Sequence, residues 1–111
     1  TSSFLRRNKK RIRLEMRKLE FSNRSLKEIR IIVDYLNSKW SEKTSKKFLN
    51  KLKENIDLIQ INPELFPVSE FEELRKCVVS KQTTVFFIIE KNKIYIVSVF
   101  DTRQNPNKIK E

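Results

Sequence analysis

The sequence predicts an α+β fold: an N-terminal strand, then an antiparallel two-helix hairpin packed on a small antiparallel sheet that ends in a three-stranded meander. Three observations carry this prediction. Two consecutive segments after residue 25 repeat their apolar residues three or four apart, the period of an amphipathic helix. Three short β-type runs then follow one another from residue 72 to residue 101. Two helices with one apolar stripe each need a face to cover, and the meander supplies it.

The first residues stand apart in composition. Residues 1–18 hold eight Lys and Arg against Glu15 alone, whereas the other 93 residues carry 17 basic and 13 acidic side chains. Residues 1–15 mix Phe4, Leu5, Ile12 and Leu14 with basic residues and show no strand alternation. Met16 is the only methionine. The expected division is therefore a basic N-terminal extension over 1–15, upstream of the natural start, and one domain over 16–111. The competing reading of 1–15 is a basic helix that touches RNA or a partner.

From Met16 the elements can be read in turn. Met16–Ser22 alternates, with Leu19 and Phe21 on one face, and reads as a short strand. Ser25-x-x-Glu28 fits a capping box. Leu26, Ile29, Val33, Leu36 and Trp40 form the stripe of the first helix, with Trp40 expected in the core. Ser41 is the expected cap of a second helix with the stripe Phe48, Leu49, Leu52, Ile56 and Ile59. Asn62-Pro63 stops it, because proline disfavours helical geometry in the residue before it. A link of about two residues makes the helices an antiparallel hairpin. Pro63 and Pro67 bracket a loop whose Phe66 is expected to plug the hairpin end.

The strand signals are Glu72–Ser80, Thr83–Glu90 and Lys93–Asp101. Short joints separate them, and Asn92 is suited to the positive φ of a tight turn. The last two runs are nearly continuous in apolar residues, as expected of strands that are central or covered on both faces.

Composition limits the function. A single domain of 111 residues with 38% hydrophobic residues can bury one core. No run approaches the ~20 apolar residues of a membrane span, and no apolar stretch of secretory type follows the basic N-terminus. One cysteine and no histidine leave no zinc site to expect. Cys77 between Leu74 and Val78 reads as a small buried hydrophobe. The absence of glycine argues against a glycine-rich phosphate loop. No cofactor is expected, and a reducing cytoplasm is the simplest compartment. The net charge of +11 favours nucleic acid, an anionic surface or an acidic partner without choosing among them.

Three local patterns occur in order. Leu19-Glu20-Phe21-Ser22 runs into Leu26-Lys27-Glu28-Ile29 and ends in Asp34-Tyr35-Leu36. Asn62-Pro63-Glu64-Leu65-Phe66-Pro67 is followed by Leu74-Arg75-Lys76. Ile94–Phe100 is followed by Asp101-Thr102-Arg103-Gln104-Asn105-Pro106. In this succession, over about residues 17–110, the chain resembles the RelE/ParE family of toxins. The resemblance implies the toxin of a bacterial type II toxin–antitoxin pair, neutralised by a cognate antitoxin that is acidic or folds around it. It also implies one of two mechanisms. ParE-type members inhibit DNA gyrase. RelE-type members cut mRNA on the ribosome without a metal, using basic side chains to stabilise the phosphate and residues that move protons.

The ribonuclease pattern carries over in part. Its basic residue on the first meander strand meets Arg75 or Lys76, and the Arg after the last strand meets Arg103. The Arg near the start of the middle strand meets Thr83 or Thr84, and the C-terminal Tyr or His falls around Ile109. If the chain were a ribonuclease, Arg103 and Arg75 would be its catalytic residues. Lys76, Lys81 and Arg103 are the candidate binding residues. The ParE-type reading ranks first for want of a proton-transfer partner, and the RelE-type endonuclease is the alternative. A non-toxic RNA-binding module is a third reading, weakened because most aromatics lie in core stripes. Each candidate also has a purely structural role to play. Arg75 could pair with Glu72 or Glu73, and Arg103 with Asp101. Lys81 would be a solvated turn residue, while Tyr35 and Tyr95 would be core or rim.

Overall fold

The computed structural model describes residues 17–71 and 73–103. The readings of 1–15, of Met16 and of the tail around Ile109 fall outside them. The elements are β1 (Lys18–Phe21), α1 (Asn23–Lys39), α2 (Glu42–Ile61), a 3-10 turn (Pro63–Leu65), β2 (Arg75–Val78), β3 (Thr83–Ile89) and β4 (Lys93–Asp101). They form one sheet in the order β1-β4-β3-β2. The β2, β3 and β4 strands make the expected antiparallel meander. β1 departs from an all-antiparallel sheet: it runs parallel to β4, pairing Lys18 with Lys93 and Phe21 with Ile96. The helix hairpin is the crossover that this parallel pairing requires.

α1 begins three residues earlier than the Ser25-x-x-Glu28 box implies. Its cap is Ser22, whose hydroxyl oxygen accepts the Ser25 N–H at 2.9 Å. The same hydroxyl donates to the Val97 carbonyl at 2.7 Å, so the cap also fastens the helix to β4. Glu28 does not turn back to the helix start. Its carboxylate accepts the Ser98 hydroxyl at 2.8 Å and the Val99 N–H at 3.1 Å. β1 ends opposite Ile96, and Glu28 takes over as partner for the β4 backbone beyond that point. This satisfies an edge that would otherwise present bare N–H groups.

Ser41 caps α2 as expected, accepting the Thr44 N–H at 3.1 Å. Ser45, nearly fully buried, donates to the Asn37 side chain and joins the two helices.

The core lies between the helix hairpin and one sheet face. Ile32 and Leu36 of α1 and Phe48, Leu52, Ile56 and Ile59 of α2 meet Val85, Phe87, Ile94, Ile96 and Val99. Ile29 and Val33 pack against it partly buried, and three other residues of the expected stripes lie outside. Leu26 is half exposed, Leu49 lies at the rim, and Trp40 is 68% exposed. Trp40 is the C-cap of α1, where the chain leaves helical geometry at φ −125° and ψ −90° and turns its side chain outward. Two turns earlier, Ile32 is fully buried where the stripe predicts Val33, which is only partly buried.

β2 is shorter than the Glu72–Ser80 run. Its edge is partly covered by the preceding loop, since Lys76 N–H donates to the Pro67 carbonyl and Ser69 N–H to the Leu74 carbonyl. Glu73, at φ 61°, is the described residue with positive φ. Asn92 does not use that geometry, and the β3–β4 turn closes by Glu90 N–H donating to the Lys93 carbonyl. Phe66 meets the sheet, edge-on to Phe87 at 5.9 Å. Cys77 is buried, with its thiol pKa raised by that burial. Tyr35 packs at the core margin, and Tyr95 lies under the Lys93 ammonium at 5.7 Å.

Candidate functional site: the Arg103 end of the sheet

The register fixes where each basic candidate sits. Arg75 pairs with Phe87, while Thr83 pairs with Asp101. Four strand steps separate these levels, about 13 Å at ~3.3 Å per residue, and Arg103 lies two residues beyond the second. The two arginines therefore stand at opposite ends of the sheet. Arg75 shares the helix-side parity of buried Cys77, and Lys76 points to the other face. Lys81 is exposed in the β2–β3 turn, at the Arg103 end. Of the candidates, the fold brings together Lys81 and Arg103 at one end and sets Arg75 and Lys76 apart from them.

Arg75 is occupied locally. Its Nη1 donates to the Phe66 carbonyl at 2.7 Å and reaches the Glu64 carbonyl at 3.4 Å, holding the loop after α2 against β2. Its expected acidic partners play no part in these bonds, and Glu72 lies outside the described residues.

Arg103 is held differently. Asp101 ends β4 with no exposed side-chain surface. Its carboxylate accepts the Thr83 hydroxyl at 2.6 Å, the Arg103 N–H at 2.9 Å, and Arg103 Nε and Nη2 at 3.3 and 3.0 Å. Burial alone would raise the Asp101 pKa. The hydrogen bonds from Arg103 and Thr83, with the guanidinium charge, outweigh it and hold the carboxyl below its ordinary value. Thr102 N–H donates to the Gln82 carbonyl at 2.9 Å and closes this end against the β2–β3 turn. The Asp101–Arg103 pairing matches the structural role expected for Arg103.

Arg103 opens onto a cleft of about 200 Å³ between α2 and the end of the meander. Thr44, Lys47, Phe48, Lys51, Val79, Ser80, Gln82 and Thr83 complete its lining. Among the described residues, no carboxylate, tyrosine or histidine is in that lining. Lys47 and Lys51 did not stand out in the sequence because the α2 lysines read as a solvated face. The available signal was their i,i+4 spacing, which stacks two ammonium groups on one side of the helix.

The geometry places the molecule among known proteins. The family model described as the ParE toxin of the type II toxin–antitoxin system parDE matches residues 19–106. The chain belongs to the ParE toxin family. It is thus the toxin component of a type II toxin–antitoxin system. No curated protein matches it. Among solved structures, the ParE-family fold is similar to a chain of the chromosomal ParDE system from P. aeruginosa. The two share 15% identity with a TM-score of 0.69, over 78% of this chain and 96% of that one. The YoeB dimer from Staphylococcus aureus is similar at 16% identity and a TM-score of 0.54, over 77% and 95%. A chain of the E. coli DinJ-YafQ toxin-antitoxin complex is similar at 14% identity and 0.53, over 79% and 94%. These likenesses are likenesses of fold. Among the described residues no helix is long and apolar enough to cross a membrane, and no group of three His, Cys, Asp or Glu side chains could hold a metal ion.

Proposed function

We propose that this ParE-family toxin arrests growth in the bacterial cytoplasm by inhibiting DNA gyrase, and that a cognate antitoxin binds and neutralises it. The observation that carries the choice of target is the separation of Arg75 from Arg103. Metal-free cleavage at a 2′-hydroxyl needs cationic groups converging on one phosphate, with a base and an acid in reach. Here Arg75 props a loop at one end of the sheet, and at the opposite end the described residues that line the cleft of Arg103 include no carboxylate, tyrosine or histidine to serve as base or acid. An inhibitor that works by protein contact needs no such convergence.

The antitoxin reading rests on family membership and charge. A chain of net charge +11 favours an acidic partner, whose complementary potential speeds the encounter. Exposed Leu58, Ile61, Leu65 and Val68, at the end of α2 and in the loop after it, offer apolar surface to a segment that folds on binding.

Two assays with the purified full chain separate the targets. Supercoiling by purified gyrase should stop as the toxin is added, and mRNA in a reconstituted translation reaction should stay intact. Ribosome-dependent cuts in the mRNA, with supercoiling unaffected, would replace the gyrase reading by the endonuclease one.

A further inference from the structure

We infer that the cleft between α2 and the Arg103 end of the sheet is a phosphate-binding site, built from Lys47, Lys51 and Arg103. This goes beyond the gyrase reading and does not depend on it. Five features support the site. Lys47 and Lys51 stand one helical turn apart on α2, about 5–6 Å between their Cβ atoms, and both face the cleft that Arg103 closes. The guanidinium is preset: Asp101 engages Nε and one hydrogen of Nη2. The Nη1 hydrogens and the second Nη2 hydrogen are not used by that carboxylate. Asp101 itself has no exposed surface, so it aims the arginine without touching an incoming anion. Ser80 and Gln82, on the turn opposite α2, add neutral hydrogen-bonding groups to the lining. A volume of about 200 Å³ suits one phosphate group and its nearest neighbours, well below the ~300 Å³ where drug-sized ligand pockets begin.

The shared chemistry is a phosphate oxyanion held by one fork and two ammonium groups. It can arrive as a free phosphate or on a nucleic-acid backbone. Among the described residues no exposed aromatic lines the cleft, since Phe48 is buried beneath it. Binding to a strand would therefore be insensitive to base sequence.

The test uses the full chain, inorganic phosphate and a mixed-sequence single-stranded DNA 12-mer. Phosphate should shift the backbone amide resonances of Thr44 to Lys51, Ser80 to Thr83 and Arg103. For the DNA, each phosphate neutralised on a single strand adds about 0.7 to the salt slope. Replacing two lysines, Lys47→Gln with Lys51→Gln, should lower that slope by about 1.4 and weaken binding about tenfold at physiological salt. Lys18→Gln with Lys91→Gln removes the same charge at the other end of β4, about 26 Å away along the strand, and should change affinity less than twofold. All four lysines are surface residues, and dispersed amide spectra verify that the variants fold. Cleft shifts with phosphate but no DNA affinity would assign the site to small phosphate ligands. Cleft shifts together with the tenfold loss would assign it to the nucleic-acid backbone. Equal losses in the two variant pairs would overturn the site, leaving only the effect of net charge. It would also fall if a polyglutamate peptide shifted the cleft amides while phosphate did not, because the cleft would then be a dock for acidic protein.

Discussion

Replacing Asp101 by asparagine tests the end of the sheet on which the candidate site depends. The carboxylate has no exposed surface and accepts four hydrogen bonds, three of them from Arg103. Hydrogen bonds to a charged group contribute about 1.5–3 kcal/mol, but they are not additive here. The guanidinium is about a third exposed, so solvent screens part of the attraction. Asn keeps the shape and one acceptor oxygen, and presents an amide N–H₂ to the arginine. A loss of about 2 kcal/mol follows, a fall in Tm of about 10 °C for a domain of this size.

The pH dependence has a definite sign. The folded-state pKa of Asp101 is depressed, so its contribution is complete above the unfolded value of about 3.9 and is lost as pH falls through the folded pKa. Urea unfolding of the parent chain and Asp101→Asn should therefore show the full gap near pH 7 and a shrinking gap below about pH 4. A gap under 0.5 kcal/mol at pH 7, or one that stays constant down to pH 2, would refute the role given to the charged carboxylate. A double-mutant cycle with Arg103→Gln should assign most of the loss to this pair.

Three further substitutions follow from the fold. Ser22→Ala removes both the α1 cap and the donor to the Val97 carbonyl, at a cost of about 1–2 kcal/mol. Ser25→Ala should cost less, and the reverse order in urea unfolding would restore Ser25 as the cap. Trp40→Ser should change stability by less than about 0.5 kcal/mol, because the indole is 68% exposed. A loss of several kcal/mol would return it to the core.

Periodicity revealed which elements exist, and it failed where tertiary contacts decide between neighbouring residues. Thr83–Ile89 and Lys93–Asp101 were legible because alternating and continuous apolar runs end at polar turns. The α1 stripe places Leu36 correctly but differs by one step at Ile32, which is buried more deeply than the expected Val33. Ile29, Ile31, Ile32 and Val33 are adjacent candidates for one face, and only the β4 surface selects Ile32. The cap was misread for a related reason. Ser22 and Ser25 both have suitable hydroxyls, but Glu28 is drawn to the open backbone of β4, which a local motif cannot see. Parallel pairing of β1 with β4 was likewise hidden, since alternation marks a strand without naming its neighbour.

The site was legible as residue types but not as an arrangement. Arg75 and Arg103 each follow a sequence pattern, and linear order gave no reason to separate them. Register does so: in an antiparallel meander the start of β2 lies at the far end from the start of β3, so a residue opening β2 cannot share a corner with one that follows β4. The same rule draws in residues that linear reading left as scenery. The first turns of α2 cross over the corner where β2 turns into β3 and β4 ends, which delivers Lys47 and Lys51 to Arg103. Among the described residues, Lys47, Lys51 and Arg103 give the cleft its cationic character, and a buried carboxylate fixes the last of them. If that carboxylate is the aiming device, Asp101→Asn should weaken phosphate binding at the cleft as well as stability. Arg103→Lys, which keeps the charge but loses the fork, should weaken binding too.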